Sequence, residues 1–263
     1  MMTVDAVFEV KGSVAHSTAY AAGPWDPSMQ HGGAPSALVA WVVENIPTAA
    51  PMQVARMTID LLRPVPIAPL EIRSEVVREG KKIQLCGVSL LAGGKECVRA
   101  SALKIRAAEY PDLNGVTEAP VSIPSPAESS PIDEIVRRSS GFISGLEVKN
   151  AVGNFGLLSA GGPAACWFRA IRPIVHGEAN TPLMRAAMTS DFCNGVSSVL
   201  DQGWTFLNGD LSINFVRMPV GEWIALDAET WIDERGVGIA AGKLADERGY
   251  FGRAIQSLVV EKR

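Results

Sequence analysis

Apolar and polar residues alternate with a period of two along much of the chain. Leu70, Ile72 and Val76 alternate with Glu71, Arg73 and Glu75; Gly80-Lys81-Lys82 marks a turn; an extended apolar run from Ile83 to Leu91 follows, and Gly93-Gly94 turns into Cys97 to Ile105. This pattern predicts an antiparallel meander. The plan recurs in Glu222 to Trp231, Val237 to Leu244 and Tyr250 to Val260, with turns around Glu234-Arg235-Gly236 and Glu247-Arg248-Gly249. A different period precedes each meander. Ser36 to Asn45 follows Gly32-Gly33-Ala34-Pro35, carries Leu38, Trp41 and Val42 three and four apart, and stops before Pro47, which predicts a helix. In the second half Thr181 is placed to cap a helix with Pro182 at its first position, running through Leu183, Ala186 and Ala187 toward Asp191. The first helix is apolar almost all round and is expected to lie buried with a sheet wrapped about it.

Between the two patterns, Ala107 to Ser140 carries Pro111, Pro120, Pro124, Pro126 and Pro131 among serines, a composition poor in backbone donors and apolar anchors. The expected organisation is an N-terminal domain over 1–108, a Pro/Ser-rich linker over 109–140 and a C-terminal domain over 141–263. The flanks share a register. At an offset of 154, Thr58-Ile59-Asp60-Leu61-Leu62-Arg63 falls on Ser212-Ile213-Asn214-Phe215-Val216-Arg217, Glu75 on Glu229, and Arg99-Ala100 on Arg253-Ala254. Matches at three places in one register argue for a tandem duplication. The expected fold is α+β, a tandem (double) hot dog in which each half is a long helix wrapped by an antiparallel sheet.

Composition narrows the function. The 263 residues are 47% hydrophobic and 20% charged, enough to build a core without metal or disulfide staples. A formal net charge of −4 and the absence of a dense Lys/Arg stripe weigh against nucleic acid as a partner. No apolar run approaches the ~20 residues a membrane helix needs, and Met1 to Asp5 lacks a basic-then-apolar signal pattern, so a cytoplasmic protein without a membrane span is expected. Cys86, Cys97, Cys166 and Cys193 form no Cys-x-x-Cys pair beside three histidines, which leaves no expected metal site. Gly236-Val237-Gly238-Ile239-Ala240-Ala241-Gly242 has one residue too many for a dinucleotide fingerprint and lies in strand-like sequence, Gly93-Gly94-Lys95-Glu96 lacks the rest of a phosphate loop, and no Gly-x-Ser-x-Gly elbow occurs. No cofactor is expected.

Several runs carry a family resemblance: His31-Gly32-Gly33-Ala34-Pro35-Ser36-Ala37-Leu38, Leu62-Arg63-Pro64-Val65-Pro66, Arg78-Glu79-Gly80-Lys81, Ser190-Asp191 and Ala254-Ile255-Gln256. Together they resemble the double hot dog acyl-CoA thioesterases of the thioesterase II type over nearly the whole chain apart from the linker. The resemblance implies an acyl-CoA substrate and a helix-borne aspartate, a strand glutamine and a Ser or Thr hydroxyl that hold the attacking water. Asp191 matches the aspartate and Gln256 the glutamine. Asn208 falls where the hydroxyl is expected, a departure, since an amide cannot replace a hydroxyl in every role. A homo-oligomer is also expected.

Thioester hydrolysis needs a group to activate water and donors for the oxygen that becomes negative. Asp191 suits the first task, and otherwise reads as a structural helix acid. Gly32 and Gly33, at a helix N-terminus with unpaired N–H groups, suit the second, or simply form a tight turn into a buried helix. Gln256 is placed to point inward from its strand, and His31 to orient substrate or the glycine turn, or to cap the helix. The six tryptophans are candidates for an acyl tunnel or plain core. Two rival functions remain: a hot dog enoyl-CoA hydratase, from the Asp26 and His31 spacing, and a catalytically silent acyl-CoA binding protein, from Asn208.

Overall fold

The computed structural model describes residues 4–113, 115, 121–156, 160–201 and 203–263. The first half contains β1 (Phe8–Lys11), β2 (Val14–Ser17), α1 (Gly33–Asn45), β3 (Met52–Leu61), β4 (Pro69–Glu79), β5 (Ile83–Ala92) and β6 (Lys95–Arg106). Next come β7 (Ser130–Pro131) and a single helical turn, α2 (Glu134–Arg137). The second half contains β8 (Leu146–Val152), β9 (Ala164–Ala170), α3 (Pro182–Ser190), α4 (Cys193–Ser197), β10 (Trp204–Asn208), β11 (Asp210–Phe215), β12 (Ile224–Ile232), β13 (Val237–Asp246) and β14 (Gly249–Lys262). Among the described residues all strands join one sheet in the order β1-β2-β4-β5-β6-β3-β11-β14-β13-β12-β9-β8-β7, with β10 paired to β14, and every strand pairing is antiparallel.

The predicted turns close this meander for local reasons. Gly93 and Gly94 are the whole β5–β6 loop and both have positive φ, 54° and 76°, the conformation a two-residue hairpin demands. Helix α1 starts at the glycine pair, with Pro35 in its first turn, and ends at Asn45 with Ile46 as its C-cap before Pro47, where Lys104 Nζ donates to the buried Ile46 carbonyl at 2.7 Å. Residues Gly33 to Ala40 are all buried, as the all-round apolar pattern requires. Helix α3 starts as read: Thr181 Oγ1 accepts the Met184 N–H at 3.1 Å and Pro182 follows.

Pairing registers repeat at the offset seen in the sequence. Ile59 faces Ala100 and Ile213 faces Ala254; Ser74 faces Val88 and Ala228 faces Gly242; Gly87 faces Ser101 and Ala241 faces Ile255. Where the halves join, β3 meets β11, and Thr58 pairs with Ser212, its own counterpart. A contact in which equivalent residues meet across the centre has the form of a two-fold, isologous interface.

The expectation of one long helix in each half is met only in the first. In the second, α3 stops at Ser190 and α4 begins at Cys193. Three side chains promote the break. Ser190 Oγ bonds back to Ala186 O at 2.7 Å, an arrangement that bends helices, Asp191 is a weak helix former, and Gln256 Nε2 donates to the Asp191 carbonyl at 2.9 Å, capping it from a strand. The break lets the Asp191 side chain leave the helix and face the start of α1.

Candidate active site

Asp191 lies at the C-cap of α3 and is 8% exposed. Its carboxylate is held from three directions. Asn208, the last residue of β10, donates through Nδ2 to Oδ1 at 2.9 Å; Gln256 on β14 donates through Nε2 to Oδ1 at 3.3 Å; and His31 Nδ1 stands 3.1 Å from Oδ2. Gln256 points inward and is fully buried because period two alternates it with the exposed Ile255 and Ser257. Its carbonyl oxygen accepts the Asn194 N–H at 3.2 Å, so both ends of the amide are engaged. Gln256 and Asn208 therefore direct their donors at Asp191, which fixes the orientation of its side chain at the cleft.

The glycine pair comes from the other half of the chain. A Cβ on Gly32 would lie 2.7 Å from Asp191 Oδ1 and 2.8 Å from Oδ2, so this position accepts only glycine while the carboxylate stays in place. A Cβ on Gly33 would meet Phe142 at 2.8 Å and the Met188 carbonyl of α3 at 3.0 Å. Both glycines thus permit a close approach of the two helices. The Gly33 N–H donates to His31 Nδ1 at 3.0 Å, and the Ala34 N–H to the His31 carbonyl at 2.9 Å. The Gly32 N–H has no acceptor among the described residues, and Gly32 is one of the residues that line the cleft. The His31 ring packs against Phe142 at 5.0 Å and Phe192 at 4.4 Å, centroid to centroid, and those two rings lie 6.3 Å from each other.

Asp191, Gln256, Asn208, Gly32 and His31 line a cleft of about 110 Å³ with Pro24, Trp25, Phe206 and Leu207 along its wall. Five of the six residues expected to form the site thus line it, while Gly33 lies buried beside them with its N–H on His31 Nδ1. Of the six tryptophans Trp25 alone lines it; Trp41 bonds Glu178, Trp167 bonds the Pro124 carbonyl, and Trp231 lies on the outer sheet surface. Asp26, offered as a partner for His31, instead accepts the N–H and hydroxyl of Ser28 at 2.8 and 2.7 Å in an exposed turn, which lowers its pKa. Sequence reading missed Asn194, Phe142 and Phe192, since a backbone N–H and two core-like phenylalanines carry no signal of their own.

Burial, and behind it the Asp191 charge, push the Cys193 thiol up, and burial pushes Cys166 up to about 12, so neither supplies a thiolate at neutral pH. Among the described residues no group of three or more His, Cys, Asp or Glu side chains is arranged to hold a metal ion, and no helix is long and apolar enough to cross a membrane. A larger groove, about 580 Å³, crosses the outer face of the first-half sheet over Gly87, Ser89 and Ser101. Its arginines Arg73 and Arg99 are paired with Glu71 and Glu96, and no acid–base pair lines it comparable to Asp191 and His31.

The profile described as acyl-CoA thioesterase N-terminal domain matches residues 21–105, and the one described as acyl-CoA thioesterase C-terminal domain matches residues 119–260. Comparison with curated proteins found no match. Among solved structures the chain is similar to a protein assigned as a thioesterase II from Thermobifida fusca YX, at 14% identity over 98% of this chain and 96% of that one, with a TM-score of 0.76. It is similar to a hot dog fold protein of unknown function from Alicyclobacillus acidocaldarius, at 16% identity over 98% and 97%, TM-score 0.75. A third is the acyl-CoA thioesterase II TesB2 from Mycobacterium marinum, at 16% identity over 97% and 95%, TM-score 0.66. At such identities these likenesses establish a hot dog fold.

Proposed function

The chain belongs to the acyl-CoA thioesterase family and is a thioester hydrolase, and from that premise we propose that it cleaves acyl-CoA by water that Asp191 activates. The supporting observation is the Asp191 carboxylate, delivered by the broken helix of the second half against the Gly32 turn of the first. Water enters beside the carboxylate; Asp191 takes its proton as the new C–O bond forms, and the carbonyl electron pair moves onto oxygen. Gly32 N–H, at the positive end of α1, stabilises that oxygen, a contribution of about 10²–10³ in rate for one such donor. Collapse breaks the C–S bond, the pair goes to sulfur, and the proton held at Asp191 passes to the thiolate. Gln256 and Asn208 act by holding Asp191, so an amide serves at 208 where the resemblance implies a hydroxyl.

We read the architecture as two hot dog units, 1–108 and 141–263, joined by 109–140, with a single site. The repeated registers and the presence of one profile match in each half support two units; the second match begins at 119 and β7 pairs with β8, so the second unit draws in the later part of the 109–140 stretch. At the same offset, the counterparts of Gln256 and Asn208 are Ala102 and Val54, both buried and apolar, so a mirror site would have neither amide. Self-association is supported by an outward apolar strip on adjacent strands, Leu207, Val259, Val237, Ile239 and Trp231, and light scattering in solution tests it. Nothing favours the hydratase over this reading, because His31 is paired with Asp191 and Asp26 is committed to Ser28.

Asp191→Asn is the test. The amide keeps the acceptor for Asn208 and Gln256 and offers an NH₂ to His31 Nδ1, so the fold should hold while hydrolysis falls by ~10²–10⁴-fold, the range for a general base. Thiol release from acyl-CoA, followed beside a thermal melt, measures both. An unchanged rate on an unchanged melt removes Asp191 from the chemistry; a wild-type protein that binds acyl-CoA and never releases thiol marks a silent binder.

A further inference from the structure

Asn194, the second residue of α4, is 8% exposed and lines the cleft three positions after Asp191. One amide ties the two residues together: Gln256 Oε1 accepts the Asn194 N–H at 3.2 Å, and Gln256 Nε2 reaches Asp191 Oδ1. On the Asn194 side chain, Oδ1 accepts from the Thr230 hydroxyl at 3.4 Å, and Thr230 Oγ1 stands 2.7 Å from the Ser197 hydroxyl. Both hydroxyls are buried. With the amide oxygen turned to Thr230, the NH₂ end points away from it and toward the cleft. Nδ2 has no acceptor among the described residues, and it is not sealed in the core. The other two amides that line the cleft, Asn208 and Gln256, spend both N–H bonds of their NH₂ groups on Asp191 and the Asp210 carbonyl. The hydroxyl that orients Asn194 is confined to the half with Asp191. Thr230 pairs with Ala240 where, at the offset between the halves, Val76 pairs with Cys86.

We propose that Asn194 is a catalytic residue whose Nδ2 donates to the thioester carbonyl oxygen, with Thr230 as the positioning residue that turns the amide toward substrate. The proposal rests on hydrolysis by water that Asp191 activates. A thioester offers one strong acceptor, its carbonyl oxygen, since sulfur is a weak one. In a cleft of about 110 Å³ that oxygen stands close to the donors on the walls. As water attacks, the carbonyl pair moves onto oxygen and the bond from Nδ2 strengthens with the charge. On collapse that pair re-forms the C=O bond, the C–S pair goes to sulfur, and the bond from Nδ2 weakens again. Nδ2 keeps its protons throughout, so the proton path through Asp191 is unchanged. A donor aimed at the water instead would draw on the electron density that makes the new C–O bond. On the carbonyl oxygen its gain is largest in the transition state, where it accelerates the reaction. Asn194 comes from the second half and the Gly32 N–H from the first, so the carbonyl is held from both.

The direct test is the infrared carbonyl band of a ketone analogue of butyryl-CoA, with CH₂ in place of the thioester sulfur, bound to the intact protein. The expected result is a wild-type band below that of the free analogue, moving back toward it in Asn194→Ala. A band that Asn194→Ala leaves unmoved, or a wild-type band at the free position, overturns the proposal. This readout needs no turnover, so it is distinguishable from failure of the thioesterase reading, which an enzyme that releases no thiol from acyl-CoA reports. In kinetics, Asn194→Ala should lower kcat ~10²–10³-fold with KM nearly unchanged, the loss for one such donor. Asn194→Asp, which offers the cleft only acceptors, should be impaired as severely, and a wild-type kcat in either variant also overturns the proposal. Thr230→Val leaves every cleft-lining residue in place and serves where Asn194→Ala melts early. It should shift the band in the same direction, while Thr230→Ser, which keeps the hydroxyl, should retain the wild-type band.

Discussion

Gly32→Ala isolates the contact on which the site is built. Gly32 has φ −58° and ψ −25°, a helical conformation any residue adopts, so the backbone does not oppose alanine. The obstacle is Asp191. The new methyl would stand 2.7 Å from Oδ1, 2.8 Å from Oδ2 and 3.0 Å from Cγ, and reaching an ordinary contact of about 3.4 Å requires a shift of about 0.7 Å. The carboxylate cannot move that far without loosening its bonds from Asn208 at 2.9 Å and Gln256 at 3.3 Å. Overpacking of this kind costs about 1–3 kcal/mol, and a displacement near 1 Å in a catalytic group costs ~10² in rate. The expected outcome is a melt lowered by ~2–10 °C and a kcat down ~10²-fold. A thiol-release assay and a thermal melt on the same preparation read both. A Gly32→Ala protein that melts and hydrolyses like wild type refutes the reasoning, because the carboxylate would then not be seated against the turn.

Gln256→Ala leaves the Asn194 N–H and the Asp191 carbonyl without their partner in a buried site, at about 1–3 kcal/mol for each orphaned group, and frees the carboxylate to wander; a lowered melt with kcat down ~10²-fold is expected. Turnover should favour acyl groups up to about four carbons, since the cleft of about 110 Å³ is smaller than the ~150 Å³ that admits benzene and Phe192, Phe142, Phe155 and Phe168 fill the core behind it. An acyl-CoA length series in which kcat/KM rises beyond that size contradicts this. Away from the site, burial alone would raise the Asp246 pKa, but the Arg217 guanidinium and the N–H groups of Val220 and Arg248 outweigh it and hold it below its usual value. Its stabilisation is therefore present above the unfolded value near ~3.9 and lost as pH falls through the lower folded one, so Asp246→Asn should flatten the acid limb of the melting curve below about pH 4. An acid limb as steep as wild type counts against that role.

Local chemistry made much of this protein legible from its sequence. Period-two alternation, the Gly93-Gly94 hairpin, Pro35 and Pro47 around the first helix and Thr181-Pro182 before the second are short-range constraints, and they appear where the residues put them. The duplication was legible for a related reason: equal strand registers require the same side chains to face inward, which preserves a common offset between the halves. What only the tertiary structure decided lies in contacts between distant segments. The second helix runs toward Asp191 as the sequence reads it, and one of the contacts that end it there comes from Gln256, 65 positions on, which donates a hydrogen bond to the Asp191 carbonyl. The sequence places Asp26 at a suggestive spacing from His31; folding instead spends Asp26 on the adjacent Ser28 and brings Asp191 from the other half. Gly32 reads equally as a tight turn or an oxyanion donor; what the fold adds is a carboxylate filling the space of its missing Cβ, a distance between two helices that no local pattern encodes.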